Sequence, residues 1–212
     1  KWVLIDFNAY LYRQRIEELP TGFNWAFPKD LTKKSSTLSF KAYLQDNILP
    51  YYSREQFKSG VKCDDNFLTE TDILTELLVD VSNEEARYHG CIIYGEGGIG
   101  KTRLMLELGF RSFAQNWSPI RVDSKVENVE LLVPHLKPGR KYLLLFDYIE
   151  ESLGFNSDLP SILAEKTGAI VRVIANCRYT YTNSSNFPDA SVFLPVHLDK
   201  NDVNQQQYEE AV

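Results

Sequence analysis

Cys91-Ile92-Ile93-Tyr94-Gly95-Glu96-Gly97-Gly98-Ile99-Gly100-Lys101-Thr102 joins four apolar residues to a glycine-rich turn and then to a long apolar segment. The first four predict a buried strand, because a short apolar run stopped by glycine has a strand's length and punctuation. Residues 103–115 carry Leu104, Met105, Leu106, Leu108, Phe110 and Phe113, which predict a helix apolar on most sides and largely buried. Between them, residues 95–102 match G-x-x-x-x-G-K-[ST] in the strand–loop–helix setting that pattern requires. Phosphate groups carry dense negative charge and need converging donors. Glycines let the backbone N–H groups of residues 97–101 turn inward without Cβ clashes, and the helix start adds partial positive charge. The candidate phosphate-binding residues are therefore Gly95, Gly97, Gly98, Ile99, Gly100, Lys101 and Thr102. Lys101 can bridge the β- and γ-phosphates of ATP, and the Thr102 hydroxyl can ligate Mg2+.

Further apolar runs predict strands at 119–122, 142–146, 169–175 and 191–198. Helix signals alternate with them. Thr69 or Thr71 can cap a stripe of Ile73, Leu74, Leu77, Leu78 and Val81. A short helix is expected through Val126, Val129, Leu132 and Val133, ending at Pro134, and Asp158 can cap one through Ile162 and Leu163 that Gly168 stops. Strands separated by helices predict an α/β fold, a parallel five-stranded sheet covered by helices on both faces.

The third strand runs out as Leu143-Leu144-Leu145-Phe146-Asp147-Tyr148-Ile149-Glu150-Glu151. It delivers Asp147 beside the glycine-rich loop, where the carboxylate can hold Mg2+ together with Thr102. Glu150 and Glu151 follow on a loop and can polarise an attacking water, so both are candidate catalytic residues. The fourth strand ends Ala175-Asn176-Cys177-Arg178, and Arg178 or Asn176 can reach a γ-phosphate from that tip. The plain alternative is an Arg178 solvated at a strand end or paired with a carboxylate such as Glu150. Gly95, Gly97 and Gly100 also satisfy G-x-G-x-x-G, with Asp123 placed 23 residues after Gly100 as a ribose ligand for a dinucleotide. Against this stand Lys101-Thr102 and the acidic cluster after the third strand, which such a site does not need. His89, His135 and His197 are scattered and are expected to be structural. Ser184-Ser185 lacks the glycines of a nucleophile elbow, and nothing supports Asp6 and Asp30 as a metal pair.

The 212 residues carry a net charge of −6, which argues against a mainly electrostatic nucleic-acid binder. No apolar run approaches the roughly 20 residues that a membrane-spanning helix needs. Cys63, Cys91 and Cys177 are odd in number and lack metal-ligand spacing, which points to a reducing cytoplasm. Twelve aromatic residues fall within the first 60 positions, among them Phe23, Trp25 and Phe27. Residues 1–68 are therefore expected to form an aromatic-rich lobe or linker packed against a nucleotide-binding core at 69–200. One of its rings stacking on a nucleobase is the sharper alternative. Residues 201–212 read as the opening of a helix. The chain opens at Lys1 with Met105 as its single methionine, so a longer parent protein is expected.

Taken together, GEGGIGKT, LLLFDYIEE and VRVIANCR resemble the nucleotide-binding core of STAND-class P-loop NTPases, with the NACHT branch nearest. Asp147, Glu150 and Glu151 reproduce the NACHT spacing of acidic residues, with Glu150 where Asp is usual, and Arg178 resembles the STAND sensor arginine. The aromatic block suits bacterial STAND proteins, including antiviral ones. The resemblance implies that residues 201–212 begin a helical lid, and that the chain is a slow, Mg2+-dependent ATPase acting as a switch. Bound ADP would keep a closed monomer, and ATP with a recognised ligand such as a foreign phage protein would favour a homo-oligomer. A motor ATPase that remodels a partner and a non-hydrolysing nucleotide-binding module are the alternatives.

Overall fold

Each of the five apolar runs forms a strand. They are Gly90–Gly95 (β2), Ser118–Val122 (β3), Lys141–Phe146 (β4), Ile170–Arg178 (β5) and Phe193–Leu198 (β6). A shorter strand, Phe23–Trp25 (β1), precedes them. The computed structural model describes residues 19–26, 54, 67–78 and 88–199. The expectations for Asp6, Asp30, Cys63, Val81 and the lid at 201–212 lie outside these residues.

The six strands form one sheet in the order β1-β3-β4-β5-β2-β6. All pairs within β3-β4-β5-β2-β6 are parallel, as expected for strands joined by helical crossovers. The sixth strand was not foreseen. β1 pairs antiparallel with β3, Phe23 opposite Val122 and Trp25 opposite Ile120. Three residues are too few to leave a period-2 signal within an aromatic block. Phe23 is buried and Trp25, half-buried, packs against the same core. The result is a mixed α/β fold built on a six-stranded, mostly parallel sheet.

Alternation along the strands divides the core in two. Ile92, Ile120, Leu144, Phe146, Val173 and Phe193 face one side, where Val129, Leu132 and Leu163 cover them. Cys91, Ile93, Leu143, Leu145, Ile174 and Val196 face the other, beneath helices Glu70–Leu77 (α1) and Lys101–Ala114 (α2). α1 begins as expected. Thr69 accepts from the Asp72 amide at 3.2 Å and the Asp72 carboxylate accepts from the Thr69 amide at 2.9 Å, a reciprocal capping box.

Three local expectations are corrected. The segment read as a short α-helix is a 3-10 turn at Val129–His135 with Pro134 inside it, because proline lacks the N–H an α-helical bond requires. Asp158 occupies the N-cap of Leu159–Thr167 (α3) but makes no side-chain cap bond; its own amide donates to Asn156 Oδ1 at 2.9 Å. α2 buries Leu104, Met105, Leu106 and Leu108, yet Phe110 is 42% exposed, and the helix also carries a half-buried Arg111–Glu107 pair. Among the described residues no helix is long and apolar enough to cross a membrane.

Candidate nucleotide-binding site

In a parallel sheet all strand C-termini meet at one edge, and ligands of α/β folds bind outside that edge. β2, β4 and β5 are neighbours or next neighbours in this sheet, so the loop after β2, Asp147 after β4 and Arg178 at the end of β5 converge there. Every residue expected in the site therefore lies along one edge.

The loop owes its shape to its glycines. Gly98 and Gly100 hold φ of +77° and +96°, left-handed values that strain a residue with a Cβ. Gly100 is the N-cap of α2 and supplies no side chain to its first-turn N–H groups. A Cβ at Gly97 or Gly100 would meet nothing within 4 Å, so at these two residues it is backbone conformation or exposure, not crowding, that marks the loop. Gly95 is different, because a Cβ there would lie 2.5 Å from the Leu198 carbonyl oxygen. Gly95→Ala is expected to destabilise the protein by about 1–3 kcal/mol through overpacking, read as a lowered thermal midpoint. Ile99 packs, half-buried, against the α2-side core.

Lys101 is only 4% exposed, and its ammonium donates to the backbone carbonyls of Gly95 at 3.0 Å and Glu96 at 2.6 Å. Burial lowers its pKa from the usual lysine value, while the negative charges of Glu150 and Asp147 act in the opposite direction. Thr102 donates its hydroxyl to Asp147 Oδ1 at 2.9 Å. The same oxygen accepts from Asn176 Nδ2 at 2.7 Å, and Asn176 Oδ1 accepts from the Tyr148 amide at 3.0 Å. Asn176 is fully buried on the sheet face beneath α2. It joins α2, the tip of β4 and the loop beyond it. Asn176 thus serves here as a positioning residue for Asp147 and Tyr148.

Tyr148 has φ +55°, a conformation that costs a non-glycine residue roughly 1–2 kcal/mol. The turn Ile149–Glu151 that follows brings both glutamates back toward β5. Glu150 Oε1 accepts from the Arg178 amide at 3.0 Å, and Glu151 accepts from Arg178 Nη2 at 2.7 Å. The Arg178 guanidinium also lies 5.2 Å from the Tyr148 ring centroid. Glu150 Oε2 is buried without a hydrogen bond. Arg178 is thus paired with carboxylates, the plainer of its two expectations. An open hollow of about 370 Å³ adjoins, lined by Glu150, Arg178, Thr180, Tyr181, Asn183 and Ser184.

Sequence reasoning missed Arg121. It lies on β3, and its Nη2 is 3.7 Å from Asp147 Oδ2. A lone arginine between Ile120 and Val122 gives no motif signal. Asp123, the ribose-ligand alternative, accepts from the Lys125 amide at 3.0 Å within its own turn. Among the described residues no group of three or more His, Cys, Asp or Glu is gathered to hold a metal ion; the donors that fit Mg2+ are the Thr102 hydroxyl and the Asp147 carboxylate. Cys91 and Cys177 are buried free thiols, and burial pushes the Cys177 thiol up to about 12. His197 stacks on Tyr94, with ring centroids 4.9 Å apart, and His89 Nδ1 is 3.3 Å from the Ser161 hydroxyl.

No family model matches the chain, and no curated protein matches it. A chain of the E. coli MS115-1 HORMA:CdnC:Trip13 complex is similar over 59% of this chain and 52% of its own length, with 15% identity and a TM-score of 0.37. This chain therefore spans about half the length of that neighbour, and a likeness so low bears on neither mechanism nor partners.

Proposed function

We propose that this chain binds ATP or ADP with Mg2+ at the β2–α2 loop and hydrolyses ATP slowly, as the nucleotide switch of a larger signalling or defence protein. The observation that carries the reading is the Thr102–Asp147–Asn176 cluster. A threonine that follows the loop lysine, an aspartate from a strand tip and a buried amide hold one another at 2.7–2.9 Å beside a glycine-built loop. Strand order supports the same reading over a dinucleotide site. In a dinucleotide fold the strand after the glycine-rich turn and its helix lies beside the first. Here β4 and β5 separate β3 from β2, which supports a phosphate-loop site over a dinucleotide one.

Each residue has work suited to its place. The amides of residues 97–101 can surround a β-phosphate, Lys101 can turn from its two carbonyls to the β- and γ-oxygens, and Thr102 with Asp147 can hold the metal. When bound, Mg2+ neutralises charge on the phosphate oxygens and orients them. Glu150 and Glu151 can orient and polarise water. The Arg178 guanidinium can leave Glu151 for a γ-oxygen, which frees the Glu151 carboxylate only when the third phosphate is present, while Glu150 stays on the Arg178 amide. Such a differential contact is what a switch between two states requires. By resemblance to NACHT-like STAND proteins, the two states would be a closed monomer and a ligand-triggered oligomer. The cytoplasm suits the free, buried Cys91 and Cys177.

The test uses the full-length parent protein, with ATP binding, turnover and oligomer size measured for wild type, Glu150→Gln and Glu151→Gln. We expect slow wild-type turnover. One of the two substitutions should reduce it at least tenfold while ATP affinity stays within about threefold, since general-base assistance contributes about 10²–10⁴ in rate. Fast turnover independent of any partner would favour a motor. Binding without turnover in wild type would favour a structural nucleotide module, and absence of binding would refute the site.

A further inference from the structure

Asp147 divides its two oxygens between different kinds of partner. Oδ1 accepts the Thr102 hydroxyl and the Asn176 amide, both neutral donors. Oδ2 faces Arg121 Nη2 at 3.7 Å, and the Asp147 side chain is 21% exposed. Lys101 would be the obvious counter-charge, yet its ammonium is bonded to the Gly95 and Glu96 carbonyls. Among the described residues the ion pair of Asp147 is with Arg121. The sheet builds this contact. Arg121 is opposite Leu145 in the β3–β4 register, and alternation places it on the same face as Leu145 and Asp147, the face that α2 and Thr102 occupy.

We infer that Arg121 is a built-in counter-cation for Asp147, against which a divalent cation must compete, so that Arg121 sets the Mg2+ concentration at which nucleotide is held. The inference rests on the nucleotide-binding reading above. A guanidinium and a divalent ion drawn to one carboxylate repel each other, and desolvation beside a half-buried carboxylate strengthens that repulsion relative to bulk water. In the metal-free site Arg121 keeps Asp147 neutralised and aligned with Thr102 and Asn176. Metal loading then weakens the Arg121 contact. Arg121 is a positioning residue in this scheme, acting on the metal through Asp147.

The test is Mg2+ titration of fluorescent ADP binding to the full chain, for wild type, Arg121→Gln and Arg121→Lys, with a parallel measurement in EDTA. Arg121→Gln is expected to lower the half-saturating Mg2+ concentration roughly threefold to tenfold, the scale of a partly exposed charge pair. Its affinity for ADP in EDTA should match wild type, and Arg121→Lys, which keeps the charge, should stay near wild type in both. Unchanged Mg2+ dependence in a folded Arg121→Gln overturns the inference alone. Loss of ADP affinity in EDTA also overturns it, because the guanidinium would then bind phosphate rather than Asp147. A wild-type chain that binds no ADP at any Mg2+ concentration refutes the nucleotide reading beneath it.

Discussion

Lys101→Ala is expected to weaken ATP binding about a hundredfold, close to 2.7 kcal/mol, in a calorimetric or fluorescent-nucleotide titration. The size follows from the setting. The lysine is nearly fully buried, and its ammonium already sits on two carbonyls of the loop that would hold the phosphates. Charge-assisted bonds to phosphate are roughly twice as strong as neutral ones, and truncation removes all of them together. The fold should lose some stability but survive the change: Glu96 is exposed, so water can reach its carbonyl, while the buried Gly95 carbonyl loses the ammonium as a partner. An unchanged ATP affinity would remove the phosphate-loop assignment.

Asn176→Ala should be the most destabilising polar substitution in the site. It strands the Tyr148 amide and takes one of the donors from Asp147 Oδ1, in a position with no solvent access. Each buried group left unsatisfied costs about 1–3 kcal/mol, so a loss of about 2–4 kcal/mol is expected in chemical denaturation. Tyr148 should feel it most, since its amide bond to Asn176 helps hold a left-handed backbone. Asn176→Asp should fare no better, because it sets a second carboxylate within 3 Å of Asp147. A stability within about 0.5 kcal/mol of wild type would show that Asn176 is not the keystone described.

The five parallel strands were legible because each is a run of apolar residues closed by a glycine, a proline or a charge. Their order was not written in that pattern, since a buried strand looks alike in any position of a parallel sheet. Thr69 was readable as a cap because capping is local. The failure of Asp158 to cap is local too, but it depends on a turn geometry, in which the Asp158 amide donates to Asn156 Oδ1, that composition does not reveal. In the site, Lys101, Thr102 and Asp147 were visible through spacing. Asn176 was visible as a polar residue at a strand tip, though its orientation toward Asp147 depends on sheet register. Arg121 was invisible, because its role arises only when β3 and β4 are laid side by side.

The two outer strands have a consequence for assembly. A sheet edge with unpaired N–H and C=O groups invites another chain to add a strand. Here β1 closes one side with three residues, too short a template to pair firmly. On the other side Pro195 interrupts β6 with a residue that has no N–H to give. Both lateral margins of the sheet are therefore poor at self-recognition. Among the described residues, helices and loops therefore offer the better surface for contact between copies, and the turns that carry Glu150, Glu151 and Arg178 belong to it, so such contact and occupancy of the site would share one surface.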